Sequence, residues 1–243
     1  MARLDVLARK SEELGHMIEI DLEREGVRGI NSRLNSLPKD TNERHWLIRN
    51  PMGQHAIACG LDAPITVEVG GHAGFYCGGM NKQAEIIIHG HAGPGVAENM
   101  MSGIVRVDGN ASQSAGATGN GGLLVIKGDA ASRCGISMKG INIVVGGSVG
   151  HMSAFMAQSG HLVVCGDAGE ALGDSIYEAR LYVRGKVASL GADCIQKKMT
   201  EHHLAKLKRL LDQAEIKADP RDFHRYGSSR KLYNFNIDHA DAY

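Results

Sequence analysis

Residues 104–128 read IVRVDGNASQSAGATGNGGLLVIKG and contain the unit from which most of the chain is built. A short apolar strand, IVRV or LLVI, is followed by one residue and a glycine; the first strand begins at Ile104 and the second at Leu123. Small residues and further glycines fill the interval. A short strand repeated at a fixed interval is typical of a repeat architecture.

The same unit occurs seven times between residues 65 and 190. Its copies read ITVEVG, EIIIHG, IVRVDG, LLVIKG, INIVVG, HLVVCG and RLYVRG. The closing glycines are Gly70, Gly90, Gly109, Gly128, Gly146, Gly166 and Gly185. This repeat accounts for a glycine count of 32 in 243 residues, almost twice the average share of about 7%.

The period of the repeat is about 19 residues, which is too short for paired-helix repeats or propeller blades. It suits one turn of a solenoid, in which equivalent strands stack in parallel about 4.8 Å apart. Parallel crossovers are almost always right-handed. The sequence therefore predicts an all-β fold, a right-handed parallel β-helix of about seven turns with short α-helical caps at both ends. The closing glycines should lie at aligned corners, where we expect positive φ.

The strand positions predict which side chains face the interior. Counting back from each closing glycine, the second and fourth residues should point inward and the third outward. The inward set is Glu68, Ile88, Val107, Ile126, Val144, Val164 and Val183, with Thr66, Ile86, Val105, Leu124, Asn142, Leu162 and Leu181. The outward set is Val67, Ile87, Arg106, Val125, Ile143, Val163 and Tyr182. Because the outward set is mostly apolar, something should cover it, either the chain's own ends or a partner subunit.

The chain divides into four parts. Residues 1–64 form a cap and lead-in, 65–195 the β-helix, 196–218 an amphipathic helix, and 219–243 an aromatic and basic tail. Tyrosine, phenylalanine and arginine are enriched at interfaces, so the tail predicts a docking segment; an arm that wraps its own solenoid is the alternative. The candidate interface residues are Phe223, Arg225, Tyr226, Arg230, Tyr233 and Phe235.

Composition excludes several classes of protein. Lys and Arg number 27, as do Asp and Glu, so no field for nucleic acid or an anionic membrane is expected. Apolar runs are far shorter than the roughly 20 residues of a membrane span. The N-terminal sequence lacks the apolar stretch of a secretory signal, and five cysteines without a C-x-x-C pair suit reduced thiols. We expect a cytoplasmic protein.

Candidate catalytic chemistry is sparse. His72, His89 and His91 lie near one corner, but no carboxylate recurs beside them to orient an imidazole. The cysteines are too far apart in the solenoid to share an iron–sulfur cluster, and nucleophile motifs are missing. We therefore expect no catalytic, cofactor-binding or metal-binding residue in this chain. An independent β-helix enzyme with a histidine-bound metal, such as a hydratase, is the alternative.

Three segments resemble a known Gly-rich repeat. LLVIKGDAASRCGISMKG (123–140), HLVVCGDAGEALGDSIYEA (161–179) and IVRVDGNASQSAGATGNGG (104–122) resemble the GXGXG domain at the C-terminus of the glutamate synthase large subunit, and the β-helix subunit of formylmethanofuran dehydrogenase. IEIDLEREGVRGINSRL (18–34) resembles the segment that introduces this domain in glutamate synthase. Together with NPMGQHAIACGLDAP (50–64) and RYGSSRKLYNFNIDHADAY (225–243), these segments make the chain resemble the small β-helix subunit of N-methylglutamate synthase, also called methylamine–glutamate N-methyltransferase.

That resemblance implies a non-catalytic scaffold in a heteromeric complex. Its partners would be a class II glutamine amidotransferase-like subunit and an FMN-binding glutamate synthase-like subunit that also carries an iron–sulfur cluster. The complex would convert glutamate and methylamine to N-methylglutamate and ammonia, and this chain would itself hold no cofactor. Two alternatives stay open: a glutamate synthase assembly that uses ammonia, and a formylmethanofuran-dehydrogenase-type redox complex.

Overall fold

The computed structural model of the chain describes residues 16–230. One sheet of eleven strands runs through this whole region in the order β1-β2-β3-β4-β5-β6-β7-β8-β9-β11-β10. The strands are β1 Met17–Asp21, β2 His45–Arg49, β3 Thr66–Val69, β4 Glu85–Ile88, β5 Ile104–Val107, β6 Leu123–Ile126, β7 Lys139–Val145, β8 Ser159–Val164, β9 Arg180–Val183, β10 Cys194–Lys197 and β11 His224–Ser228. Every neighbouring pair from β1 to β9 is parallel. The parallel β-helix of about seven turns is thereby confirmed.

The register corrects the predicted alignment on two turns. Val69 pairs with Ile88, and Val145 pairs with Ile126. On both turns two glycines follow the strand, and the predicted closing glycines, Gly70 and Gly146, are the first of each pair. The second glycine of each pair is the one that aligns with the closing glycines of the other turns. With this correction the aligned glycines are evenly spaced, and they are Gly71, Gly90, Gly109, Gly128, Gly147, Gly166 and Gly185.

The same shift corrects the faces of two strands. Thr66, Glu68, Asn142 and Val144 face outward, not inward. The interior is filled by two columns of aliphatic side chains without solvent exposure. One column is Val67, Ile86, Val105, Leu124, Ile143, Leu162 and Leu181, and the other is Val69, Ile88, Val107, Ile126, Val145, Val164 and Val183.

The aligned glycines have a steric cause that differs from the predicted one. None of the six from Gly90 to Gly185 has positive φ. Instead, a Cβ on Gly128 would lie 2.1 Å from Asn110 Oδ1 and 2.9 Å from Gly109 O on the preceding turn. Glycine is required here because consecutive turns approach each other too closely for a side chain.

A ladder of side chains follows the glycines. Its members occupy the position after each aligned glycine, and each accepts a hydrogen bond from the backbone N–H of the next member at 2.7 to 3.0 Å. They are His72, His91, Asn110, Asp129, Ser148, Asp167 and, as the last donor, Lys186. The ladder satisfies backbone donors at a corner where the sheet is interrupted.

Two helices pack on the solenoid. Helix α1, Leu22–Asn35, is broken at Gly26 (φ +66°) and buries Leu22, Ile30 and Leu34. Helix α2, Glu201–Gln213, buries Leu207, Leu210 and Leu211. Among residues 16–230, no helix has the length and apolar character to cross a bilayer.

Helix α2 covers the outward apolar face of the later turns. Its three buried leucines form one apolar cluster with Val125, Val144, Val163 and Tyr182. Arg106, a charged residue in this outward column, donates from both terminal nitrogens to Gln213 O at 3.2 Å, and from Nε to Glu85 at 2.9 Å. It therefore satisfies a carbonyl at the helix C-terminus. On these turns the chain's own helix, not a partner subunit, is the cover.

Candidate functional site

A line of alternating basic and acidic side chains crosses the first turns of the solenoid. His45 on β2 contacts Glu68 on β3 (Nε2–Oε1, 2.7 Å), and Glu68 contacts His89 (Oε2–Nε2, 2.6 Å). His89 also contacts Asp108 (Nδ1–Oδ2, 2.9 Å), whose other oxygen accepts from Lys127 Nζ at 2.6 Å. We call these five residues the histidine–carboxylate line. His45 and Glu68 are buried, being 1% and 6% exposed.

The geometry fixes the charge of His89. Both of its ring nitrogens face carboxylate oxygens, and both can donate only in the imidazolium form. The hydrogen bond to Glu68, reinforced by Asp108, raises the pKa of His89. The hydrogen bond from His89, reinforced by His45, lowers the pKa of Glu68. This line can hold a proton near neutral pH, and its charges are largely compensated internally.

Asp108 is stabilised as a carboxylate from two sides. Burial alone would raise its pKa, but the hydrogen bonds from Lys127 and His89 hold the pKa below its usual value. The expectation that no carboxylate lies beside the histidines is therefore wrong. The repeat contains the missed signal, because His89, Asp108 and Lys127 are evenly spaced at the period of the repeat and so occupy one column of the solenoid.

The other two corner histidines have a structural task. His72 and His91 stack with ring centroids 5.0 Å apart, and each Nδ1 accepts from the backbone of the next turn. They belong to the side-chain ladder, not to the line with His89. Across residues 16–230, no three His, Cys, Asp or Glu side chains are grouped in a way that could hold a metal ion.

The five cysteines are free thiols, and all except Cys59 are buried. Burial raises the pKa of Cys134 to about 12 and, with a smaller opposing hydrogen bond to Gly227, that of Cys194 to about 11. A protonated, enclosed thiol is a poor nucleophile and a poor metal ligand. These residues pack as small apolar side chains.

The predicted docking tail is, in its first half, part of the fold. Strand β11 pairs antiparallel with β9 and β10 and closes the end of the solenoid. Phe223 is 4% and Tyr226 8% exposed, so neither can serve as an accessible contact residue, and that prediction is wrong for both. Arg225 donates twice to Lys198 O, and Arg230 pairs with Asp193 at 2.6 Å. Tyr233 and Phe235 lie outside the described residues.

An exposed apolar patch lies on the first turns. Phe75, Tyr76 and Met80 are each about half exposed, and Met52 is 77% exposed. Phe75 stacks on His55 at 4.4 Å and meets Tyr76 edge-on at 6.3 Å. Aromatic side chains and methionine in a group on the surface are typical of a contact surface. These residues lie in the turn segments between strands, where no pattern in the sequence distinguishes them.

No protein-family model matches the chain. Protein GlxC of Rhizobium meliloti (strain 1021) is 65% identical to it over 225 residues, which cover 92% of this chain and 99% of that protein. Identity of this extent includes the solenoid and most of both ends. The chain therefore belongs to the GlxC family.

Proposed function

We propose that this chain is a non-catalytic scaffold subunit of a glutamate-synthase-like complex. The single observation that carries the proposal is the uninterrupted parallel ladder from β1 to β9. A solenoid held by main-chain bonds on every turn has few internal degrees of freedom and suits the positioning of other subunits. The resemblance of its repeats to the glutamate synthase GXGXG domain supplies the class of complex.

The polar groups of the chain support a scaffold over an enzyme. The histidine–carboxylate line is compensated internally, the corner histidines bond to the backbone, and the buried thiols are protonated. None of these groups is presented to a ligand cleft together with a nucleophile or an oxyanion donor, the arrangement a catalytic site requires. The nucleophile, FMN and iron–sulfur cluster would then reside in the partner subunits.

Two surfaces suit contact with two partners. The apolar patch lies on the first turns, and a cationic cleft lined by Arg180 lies at the last. From β3 to β9 the sheet spans six strand spacings, or about 29 Å. This separation would hold two subunits on one rigid axis. More specifically, we propose that the complex is N-methylglutamate synthase, and that the two partners are an amidotransferase-like chain and an FMN-binding synthase chain.

The test is purification of the tagged full-length chain from its native host, with identification of the subunits that co-purify and an absorption spectrum. We expect an amidotransferase-like and a synthase-like chain in fixed ratio, with a flavin and iron–sulfur spectrum, and N-methylglutamate formation from glutamate and methylamine. Turnover with ammonia but not methylamine would identify a glutamate synthase instead. Molybdopterin-containing partners would favour the formylmethanofuran-dehydrogenase type, and a colourless monomer that binds stoichiometric zinc would overturn the scaffold.

A further inference from the structure

A cleft of about 260 Å³ lies at the end of the solenoid, where β9, β11 and β10 meet. Four of its nine lining residues are cationic, namely Arg180, Lys197, Arg225 and Arg230, and one, Glu178, is acidic. This concentration of one sign is unusual in a chain whose formal net charge is zero.

The strand register places the cations side by side. Arg225 pairs with Lys197 across one antiparallel pair, and directly opposite residues project to the same face of a sheet. The Arg225 guanidinium is held in place by two hydrogen bonds to Lys198 O, at 3.0 and 2.9 Å. The cleft therefore presents a fixed guanidinium next to an ammonium.

Most of the positive charge of the cleft is not compensated by the part of the chain that the structure describes. Arg230 pairs with Asp193, but within residues 16–230 Arg180, Lys197 and Arg225 form no ion pair with any carboxylate. Glu178 lines the cleft without pairing with them. Grouping like charges in this way costs free energy unless an anion binds.

The effect of this charge reaches helix α2. Burial, together with repulsion from Arg180, lowers the pKa of Arg225. Burial and the charges of Arg209 and Arg180 lower the pKa of Lys206. Burial, followed by the charges of Lys206 and Arg180, lowers the pKa of His161 to about 4. Burial is the largest cause of each of these three shifts, and the charge of Arg180 adds to all of them.

We propose that this cleft is the docking site for an acidic segment of a partner subunit, whose carboxylates pair with Arg180, Lys197 and Arg225. Guanidinium groups match carboxylates in shape and charge. The cations are spread over three strands, and the volume is below the roughly 300 to 1,000 Å³ of enclosed small-molecule sites. An extended acidic peptide fits such a surface better than a metabolite. The inference rests on the proposed function only in that the partner belongs to the same complex.

The test uses the complete complex assembled on the tagged full-length chain, with the double variant Arg180→Glu, Lys197→Glu. Neither side chain forms a hydrogen bond or an ion pair within the described part of the fold, so the variant should fold and melt like the parent. We expect one partner subunit to be retained at least about tenfold less well, as for a charge pair lost from an interface. Lys139→Glu, an exposed charge reversal two turns away, is the control and should retain that partner within about twofold.

Zero-length carbodiimide cross-linking of the same complex identifies the occupant. We expect Lys197 to be joined to an aspartate or glutamate of the partner. Retention of every partner by the double variant would overturn the docking site while leaving the scaffold function intact. Cross-links from Lys197 to Asp238 or Asp241 would assign the cleft to the chain's own tail and overturn the proposal as well. A parent chain that recovers no partner would instead refute the scaffold function, and the inference with it.

Discussion

The side chain of Asn110 occupies the space that a side chain on Gly128 would need: a Cβ on Gly128 would lie 2.1 Å from Asn110 Oδ1. That oxygen is already engaged, because it accepts a hydrogen bond from Asp129 N at 3.0 Å. The missing side chain at one turn thus makes room for the side-chain bond that stabilises the next. The relationship recurs along the ladder, for instance between Gly185 and Asp167 Oδ1 at 2.2 Å.

Gly128→Ala should therefore destabilise the chain by about 2 kcal/mol, the usual cost of overpacking, because Gly109 O, a backbone atom, also stands in the way. The thermal midpoint of the purified chain measures the effect. Gly29→Ala is the matched control. The nearest atom to its Cβ would be 3.9 Å away, and alanine in a helix gains up to about 1 kcal/mol over glycine. Equal midpoints for the two variants would contradict the steric account.

The sequence predicts the repeat well and its register less well. The period is visible because strands and glycines repeat together. The register fails at Gly70 and Gly146 because a doubled glycine offers two equivalent choices, and only main-chain pairing distinguishes them. One residue of error then exchanges the two faces of a strand, as it did for Glu68 and Val144.

The candidate contacts were harder to predict for a different reason. Phe223 and Tyr226 have the composition of an interface, yet they close the solenoid of their own chain, and composition does not distinguish these two uses. The histidine–carboxylate line depends on neighbours in space that belong to different turns and are far apart in sequence. It becomes visible only when the turns are laid side by side in the correct register.

The ion pair of His89 and Glu68 predicts a dependence of stability on pH. The raised pKa of His89 gives a contribution that is complete below its ordinary value of 6.5 and is lost as the pH rises through the folded value. The lowered pKa of Glu68 gives a contribution present above its ordinary value of 4.5 and lost in acid. The pair therefore stabilises the fold most between pH 4.5 and 6.5.

Glu68→Gln should lower the free energy of unfolding by about 2 kcal/mol near pH 6, because it removes hydrogen bonds between charged groups at a buried position. The difference from the parent should shrink as the pH rises through the raised pKa of His89, because the ring then loses the proton that it shares with Glu68. Thermal midpoints over this pH range measure it. Glu178→Gln, an exposed carboxylate without an ion pair in the described region, should give a small and constant difference. A constant difference for Glu68→Gln would show that His89 is not charged in the fold.

Helix α2 should be a stabilising cover and not a loosely attached appendage. Leu207 is fully buried in the cluster with Val144 and Val163, so Leu207→Ala should destabilise the chain by about 3 kcal/mol. Lys208, its neighbour, pairs on the surface with Asp212 and with no other carboxylate in the described part of the chain, and Lys208→Ala should cost no more than about 0.5 kcal/mol of stability. Chemical denaturation compares them. Similar midpoints would mean that the helix detaches readily and leaves the outward face open to a partner.

At Tyr182 we expect a substitution that stabilises the fold, in contrast to the destabilising substitutions above. Its side chain is fully buried in the same cluster and stacks on His161 at 6.2 Å, but within the described residues its hydroxyl has no hydrogen-bond partner. Burial raises the pKa of that hydroxyl, so it stays neutral and unsatisfied. Tyr182→Phe removes the unsatisfied group and keeps the ring. The free energy of unfolding should therefore increase by about 1 kcal/mol, and the thermal midpoint should rise with it.

Tyr182→Ala provides the matched control, because it removes the ring as well and should cost about 4 kcal/mol. Loss of stability in both variants would show that the hydroxyl is bonded in solution, and the cover of α2 over β9 would then be polar where the structure has it apolar. A gain for phenylalanine alone would establish that the ring, packed between the last turn and the helix, is what Tyr182 contributes to the fold.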